Sequence, residues 1–421
     1  MNSQLIKVLV AIIAISGASP ANAEGVPNWK ADTLTGEWGG FRAKLYDKGI
    51  TIDLSHKSDY LSNTSGGIQT GSVWLANTEA AVNVDLNKHL GWGGTSAFFQ
   101  FHSQHGIQNK DFNGSYVGSF AGVSNIETGT NGSQFYQAWL QKNSADDTLS
   151  VLFGLYAIDS EFYVTETSGL FLQPPYGMSA AMAQGGTINS WQNGPPIFPM
   201  GALALRLKYS AGDYFVQGAL TDGVPGNPNN PRGTHIRLDK TDGTLSVVEM
   251  GYTPDNGDKR VSKTSLGLWN YSASAPDQMT GESRADRGVY VLAERTLMAE
   301  QGQSGQGLSG FVRFGSVNKD IHQADWSGSL GLHYQGLISG RDEDEAGLAV
   351  TTSHASDKYR EAQLLLGNAT DSSETVIELT YRAQILPWMA VQPSLQRIMN
   401  PGMDKTLSDA SVVGVRLDLA L

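Results

Sequence analysis

The sequence predicts an all-β protein: a transmembrane antiparallel β-barrel of about 16 strands, with a short N-terminal helical segment and a long inward-folding loop. Alternating apolar and polar residues recur along most of the chain, in segments of roughly ten residues that match a membrane-crossing strand. Long and short links alternate between these segments, as in barrels whose turns on one side are short. After the N-terminal leader, no apolar run reaches the roughly 18 residues of a transmembrane helix.

The first residues indicate a secretory signal peptide rather than part of the fold. Lys7 supplies a positive charge, residues 8–18 (VLVAIIAISGA) are apolar but too short to span a bilayer, and Ala21-Asn22-Ala23 offers a cleavage site. An uncleaved membrane anchor is the alternative. We divide the chain into a signal peptide at residues 1–23, an N-terminal helix and hook segment at 24–50, whose periplasmic position is implied by the family resemblance described below, and the outer-membrane barrel at 51–421.

Composition narrows the classes of function. Acidic residues outnumber basic ones by 41 to 29, and a net charge of −12 argues against nucleic acid as a partner. The chain has no cysteine, so it can form no disulfide, thiolate metal site or lipoprotein anchor. Export without cysteine fits the outer membrane of a Gram-negative bacterium. There the partners would be outer-membrane lipid and lipopolysaccharide.

The alternation also places the strands. Candidates begin near residues 51, 76, 95, 134, 148, 201, 213, 244, 262, 287, 306, 326, 345, 374, 389 and 410. Links after odd-numbered candidates average about twenty residues and those after even-numbered ones about six, as expected for external loops and periplasmic turns. A soluble sandwich or propeller gives no reason for this asymmetry.

The polar face of each strand should line the lumen. The alternation predicts that ten polar residues point into the lumen: Arg206, Lys208, Arg313, Glu378, Arg382, Gln392, Ser394, Gln396, Arg416 and Asp418. Charged and amide groups can exchange hydrogen bonds with a solute's hydroxyl groups, so these residues are candidates for a substrate pathway. The competing interpretation is a wall that carries charge only because the lumen is wet.

The longest link, residues 157–200, is expected to fold inward and narrow the channel. A structureless link of this length inside a compact domain is usually functional. Its Gly, Ser, Asn and Gln content suits a polar constriction, and Tyr176, Trp191 and Phe198 are the aromatic candidates within it. An ordinary external lid is the alternative.

The N-terminal stretch LTGEWGGFR, residues 34–42, precedes a short helical run that Gly49 should end. It resembles the Leu-Thr-Gly-Asp-Trp-Gly-Gly-x-Arg motif of the OprB family of carbohydrate-selective porins, with Trp38, Gly39, Gly40 and Arg42 matching and Glu37 replacing the usual Asp. Further matches are GALALRLKY, DGVPGNPNNPRGTH and ETVIELTYRAQILPWMAVQPSLQRIMNPG. Together they cover most of the mature chain.

The resemblance implies a sixteen-stranded outer-membrane porin for passive diffusion of carbohydrates, namely glucose-type monosaccharides and similar small polar solutes. No cofactor is implied, and both a homotrimer and a monomer remain open. The motif segment would sit on the periplasmic side of the barrel.

Three other classes of function stay open at this point. A general or other-solute diffusion porin would share the fold. An outer-membrane surface hydrolase is less favoured because the chain has no recognisable catalytic motif, and GQGLSG at residues 305–310 enters a strand rather than a helix. A soluble exported β protein is the third. The acidic run Asp342–Glu345 could bind a divalent cation, but a solvated turn is favoured and no metal site is predicted.

Overall fold

A computed structural model describes residues 26–106, 111–128, 131–184, 193–230, 232–254, 260–300 and 305–421. The expected signal peptide and Trp191 lie outside these residues.

The N-terminal segment folds as two short helices before the first strand. Helix α1 spans Trp29–Asp32 and helix α2 spans Phe41–Asp47. The N–H groups of Lys48 and Gly49 bond to the last carbonyls of α2, and Gly49 has φ +84°, a conformation that glycine adopts without strain. Gly49 therefore ends the helix as its sequence position predicts.

Sixteen strands make up the rest of the fold. Their bounds are β1 Ile50–Gly67, β2 Gly71–Asp85, β3 Thr95–His105, β4 Gly132–Asn143, β5 Leu149–Tyr156, β6 Ala202–Ala211, β7 Tyr214–Asp222, β8 Thr244–Tyr252, β9 Ser262–Pro276, β10 Ser283–Ala299, β11 Gly307–Val317, β12 Ala324–Gln335, β13 Glu345–Ala355, β14 Ser373–Leu386, β15 Met389–Met399 and β16 Ser408–Ala420. Among the described residues, three α-helices lie in the links: α3 Leu86–Leu90, α4 Ala180–Ala183 and α5 Asp357–Leu365. Within the described residues, none of the helices has the length and apolarity needed to cross a membrane.

Each strand pairs antiparallel with its neighbours, and β1 pairs with β16 to close the barrel. At this seam Asp59 lies opposite Arg416 and Leu61 lies opposite Gly414. Closure leaves no row of unpaired backbone groups, which would cost several kcal/mol each in lipid. The predicted fold class is confirmed. The largest difference between a predicted and an observed strand start is at β2. The sequence predicts a start near residue 76, but the strand begins at Gly71, which still pairs with Asn63 of β1.

The outer face of the barrel is apolar and exposed. Leu205 and Leu207 on β6 are 42% and 49% exposed, while Arg206 between them is 1% exposed. The same alternation places Val413 and Val415 outward on β16. A continuous apolar surface of this kind would promote aggregation in water but suits a lipid environment.

The buried apolar core lies inside the barrel, between the wall and two inward-folded links. One cluster joins link residues Phe112, Val117, Ala121, Val123 and Ile126 to wall residues Leu61, Leu75, Val376, Ile398 and Val412. A larger cluster joins link residues Ile158, Phe162, Tyr163, Met178 and Met182 to wall residues that include Phe98, Trp139, Leu245 and Trp269. The inner face therefore carries apolar patches against which the two links pack.

Candidate functional site: the loop-lined lumen

The link between β5 and β6, residues 157–201 and here called the long loop, crosses the interior of the barrel. It hydrogen-bonds with inward side chains of β4, β6, β8, β10, β11, β12, β14 and β15. A segment that touches strands around the circumference must lie within the lumen. The expectation of an inward-folding loop is thus met by the geometry.

Glutamates of the wall hold the main chain of the long loop. Glu378 on β14 accepts the N–H groups of Leu172 and Gln173 at 2.8 and 3.2 Å. Glu294 on β10 accepts those of Glu166 and Thr167 at 3.1 and 2.9 Å. Each carboxyl group offers two oxygens and accepts two neighbouring N–H groups, so these contacts fix the path of the loop.

Glu249 on β8 is the third carboxylate of this kind. It is fully buried and accepts the N–H of Tyr163 at 2.9 Å and the hydroxyl of Tyr290 at 2.7 Å. The three glutamates belong to different strands, so they hold the loop at separate points around the lumen.

Two wall arginines bind the same loop. Arg313 donates to the carbonyls of Tyr163 at 2.7 Å and Gly177 at 2.5 Å, and also to Tyr176. Arg206 forms an ion pair with Glu161, with Nε 2.8 Å from Oε2. Both arginines are 1% exposed. The alternation of polar and apolar residues along β6 and β11 predicts that both side chains point into the barrel. The structure places them there, and the loop covers their guanidinium groups.

The link between β3 and β4, residues 106–131 and here called the second loop, also folds inward, which the sequence reasoning did not foresee. Glu374 on β14 accepts the N–H groups of Phe120 and Ala121 at 2.7 and 2.8 Å. At the tip of this loop, the N–H of Asn125 donates to the carbonyl of Leu172 in the long loop at 2.6 Å. The two loops thus meet inside the barrel.

An ion pair at the barrel seam holds the tip of the second loop. Arg416 on β16 binds Asp59 on β1 through two hydrogen bonds of 2.7 and 2.8 Å. Ser124 donates to the same carboxylate at 2.7 Å. Asp59 and Ser124 were missed by the sequence reasoning, although Asp59 has the inward parity of its strand.

The predicted amide and hydroxyl residues of β15 also contact the loops. Gln392 donates to the carbonyl of Leu170 at 2.7 Å, and Gln396 donates to that of Val123 at 3.0 Å. Ser394 lies 3.3 Å from Glu378. All three β15 side chains are buried.

The remaining predicted charges lie nearer the rim that carries the short turns. Arg382 on β14 contacts Glu345 at 3.3 Å and Asp418 on β16 at 3.5 Å. Lys208 on β6 lies 5.3 Å from the ring centroid of Phe215. Because β6 and β14 stand on opposite sides of the closed barrel, these charges face each other across the lumen.

The predicted constriction aromatics pack against the wall. Tyr176 is 3% exposed and contacts Phe171 and Phe311. Phe198 is half-buried and packs edge-on against His102 and Tyr136. In this arrangement the rings fill the space between loop and wall, and their role towards a solute stays a prediction.

The N-terminal motif ties the two ends of the fold together. Arg42 donates to Thr33 Oγ1 at 2.7 Å, to the Gly36 carbonyl at 3.0 Å and to the Leu421 carbonyl at 2.7 Å. Its guanidinium lies 4.0 Å from the ring centroid of Trp38. Gly39 and Gly40 have φ values of +66° and +83°, which glycine tolerates and which reverse the chain between Trp38 and α2. The motif is therefore a structural clasp at the seam.

The acidic run at the start of β13 is solvated only in its first half: Asp342 and Glu343 are exposed, whereas Asp344 and Glu345 have partners. Asp344 is buried and accepts hydrogen bonds from Arg341 Nε at 2.7 Å, Tyr381 Oη at 2.5 Å and the Gln384 N–H at 2.9 Å. Among the described residues, no group of three or more His, Asp or Glu side chains is arranged to hold a metal ion.

A closed sixteen-stranded barrel with its longest loop folded across the lumen is the architecture of a porin. The model of the carbohydrate-selective porin family, OprB, matches residues 74–421. The chain belongs to this family.

Two relatives and one solved structure are also similar to this chain over most of its length. Porin B of Pseudomonas aeruginosa is 26% identical over 442 residues, which cover 97% of this chain and 96% of the relative. The putative porin QuiX of Acinetobacter baylyi is 23% identical over 93% of this chain and 94% of its own. A high-pH structure of Pseudomonas putida OprB has a TM-score of 0.82 at 22% identity and covers 93% of this chain and 99% of its own. It supports the fold.

Proposed function

We propose that this chain forms a passive pore in the outer membrane of a Gram-negative bacterium for neutral carbohydrates, with glucose-type monosaccharides as the substrate class. The observation that carries the proposal is the long loop, which is fixed across the lumen by contacts with strands around the barrel. A lumen narrowed in this way discriminates between solutes by size and by hydrogen bonding. The chain would act as a channel and not as an enzyme.

We further propose that the charges nearer the short-turn rim line the substrate pathway. Arg382 lies between the wall carboxylates of Glu345 and Asp418, and Lys208 lies beside the ring of Phe215. Opposed charges orient water across the lumen, which disfavours apolar solutes and leaves hydroxyl-rich solutes able to exchange hydrogen bonds. The apolar outer face would contact outer-membrane lipid and lipopolysaccharide.

Liposome swelling with the purified, detergent-refolded protein tests the proposal. We expect faster swelling with glucose than with a neutral amino acid of similar size, and slower swelling with a disaccharide. Replacing Arg382 with Ala should change the glucose rate while the folded band on a gel is retained.

Swelling ordered by solute size alone would favour the second candidate, a general diffusion porin with the same fold. No swelling from folded protein would contradict a pore of either kind. An unchanged glucose rate in R382A would leave this arginine as part of the wall. The oligomeric state, monomer or homotrimer, is measured on the same sample by its mass in detergent.

A further inference from the structure

Asn125 has a side chain that is both exposed and held by hydrogen bonds. It is exposed, although it stands at the inward tip of the second loop, against β16 and the long loop. The buried amides of Gln392 and Gln396, by contrast, donate to loop carbonyls. Asn125 therefore presents an exposed amide inside the barrel, where the two loops meet.

The side chain of Asn125 is nevertheless fixed. Its Oδ1 accepts from Arg416 Nη2 at 2.8 Å, and its Nδ2 donates to the Phe171 carbonyl at 3.3 Å. Because a guanidinium group only donates and a carbonyl oxygen only accepts, these two partners determine which end of the amide is oxygen and which is nitrogen.

The partners of Asn125 are themselves held in place. Both oxygens of Asp59 bind Arg416, and the ion pair is buried at the seam between β1 and β16. The backbone N–H of Asn125 donates to Leu172, whose own N–H is bound by Glu378. The amide is thus set against the wall on one side and the long loop on the other.

Each end of this amide keeps one hydrogen-bonding position. An amide oxygen accepts two hydrogen bonds and an amide nitrogen donates two, and the described residues use one of each for the side chain of Asn125. One acceptor and one donor therefore remain at neighbouring atoms, in a fixed orientation. Two adjacent hydroxyl groups on a sugar ring offer the complementary donor and acceptor.

We propose that Asn125 is a hydroxyl-binding residue of the pore, which takes two neighbouring hydroxyl groups of a neutral sugar as the solute passes the point where the loops meet. The inference rests on the proposed sugar pore and names one residue of its specificity. Two neutral hydrogen bonds give weak binding, as a pore requires if the solute is to leave. Preorganisation of the amide reduces the ordering cost of each encounter.

Block of ion current by glucose in planar bilayers tests the inference. The readout is the glucose concentration that halves the single-channel current carried by potassium chloride. In N125D the carboxylate keeps an acceptor for Arg416 but loses the donor, whereas N125L has neither group at similar size. We expect both variants to need roughly ten times more glucose for half block, on the scale of one or two lost hydrogen bonds.

The matched control is N131D, which introduces the same charge into the same loop at an exposed position near the start of β4. It should keep the wild-type half-block concentration. A folded band on a gel and an open-channel current within twofold of wild type show that each variant keeps its pore.

Wild-type sensitivity to glucose in both Asn125 variants would overturn the role of Asn125 and leave the sugar pore standing. An equal loss of block in N131D would assign the effect to charge and also overturn it. A conducting wild-type channel that glucose does not block, together with swelling ordered by size alone, would overturn the sugar pore and this inference with it.

Discussion

Glu374 and Glu378 stand one above the other on β14, and each accepts N–H groups from a different loop. Glu374 holds Phe120 and Ala121 of the second loop, and Glu378 holds Leu172 and Gln173 of the long loop. The inward parity of Glu378 can be predicted from the alternation of its strand. Its partners cannot, because they lie about two hundred positions earlier in the sequence.

Replacing Glu378 with Gln should loosen the long loop locally. The amide has one acceptor oxygen where the carboxyl group has two, so one of the two buried N–H groups is left unpaired, at a cost of about 1–3 kcal/mol. Hydrogen exchange of the Leu172 and Gln173 amides should then be roughly ten- to a hundredfold faster. Mass spectrometry of the exchanged protein measures this.

The matched control for that experiment is Glu374→Gln. It should accelerate exchange at Phe120 and Ala121 and leave Leu172 and Gln173 unchanged. Equal acceleration of both loops in either variant would mean that the carboxylates stabilise the barrel as a whole rather than anchoring separate loops.

At the scale of elements, helix α5 is held by ionic contacts between links. Lys358 of α5 binds Asp277 in the β9–β10 link and Asp320 in the β11–β12 link, the latter at 3.0 Å. Arg284 also contacts Asp277, at 3.1 Å. The hydrogen bond from Lys358, followed by those from neighbouring N–H groups and Arg284, lowers the pKa of Asp277 below its usual range.

Asp277 should therefore make the docking of α5 dependent on pH. Because the pKa of Asp277 is lower in the folded state than in the unfolded state, its contribution is fully present above the unfolded value of about 3.9. That contribution is lost as the pH falls from there through the folded value. We expect D277N to expose the α5 amides to faster hydrogen exchange at pH 7, and the difference from wild type to shrink progressively as the pH falls below about 4.

Glu282→Gln is the control for this pH dependence. Glu282 also pairs with Arg284, at 2.9 Å, but its side chain is 67% exposed, and exposed pairs contribute little. Exchange in E282Q should follow wild type at every pH. A difference between D277N and wild type that persists unchanged to low pH would contradict the ionic explanation.

At the scale of the whole molecule, the closed barrel depends on the seam between β1 and β16, and the N-terminal clasp lies across it. The N–H of Leu34 donates to the carbonyl of Ala420, and Arg42 donates to that of Leu421. The helical segment before the first strand thus joins the beginning of the barrel to its last strand. This contact adds to the pairing of β1 with β16.

Arg42→Ala should weaken barrel closure. Arg42 is 2% exposed. Each hydrogen bond from its charged guanidinium group contributes about 1.5–3 kcal/mol to the stability of the fold. We expect the folded, heat-modifiable band of the variant to disappear at a lower temperature than that of wild type on a gel. Lys44→Ala, which changes an exposed residue of the same helix, should melt as wild type. Equal melting of all three proteins would show that the clasp does not stabilise closure.

The barrel could be predicted from the sequence because its determinants are local. Period-2 alternation, link length and the glycine at the end of α2 each act within a few residues. The interior could not be predicted to the same depth. Whether a link folds inward or outward depends on contacts such as Glu374 with Phe120, which join distant parts of the chain. The second loop was therefore missed, and with it the exposed Asn125.

The anchoring of the long loop through its main chain has a consequence for how such a pore can change. Glu249, Glu294 and Glu378 bind N–H groups, which every residue except proline possesses. The anchoring itself does not depend on the side chain at an anchored position, so an exposed residue such as Glu166 can vary while the loop keeps its path. Natural variation or deliberate redesign can then alter the chemistry that a passing solute meets without rebuilding the frame that presents it.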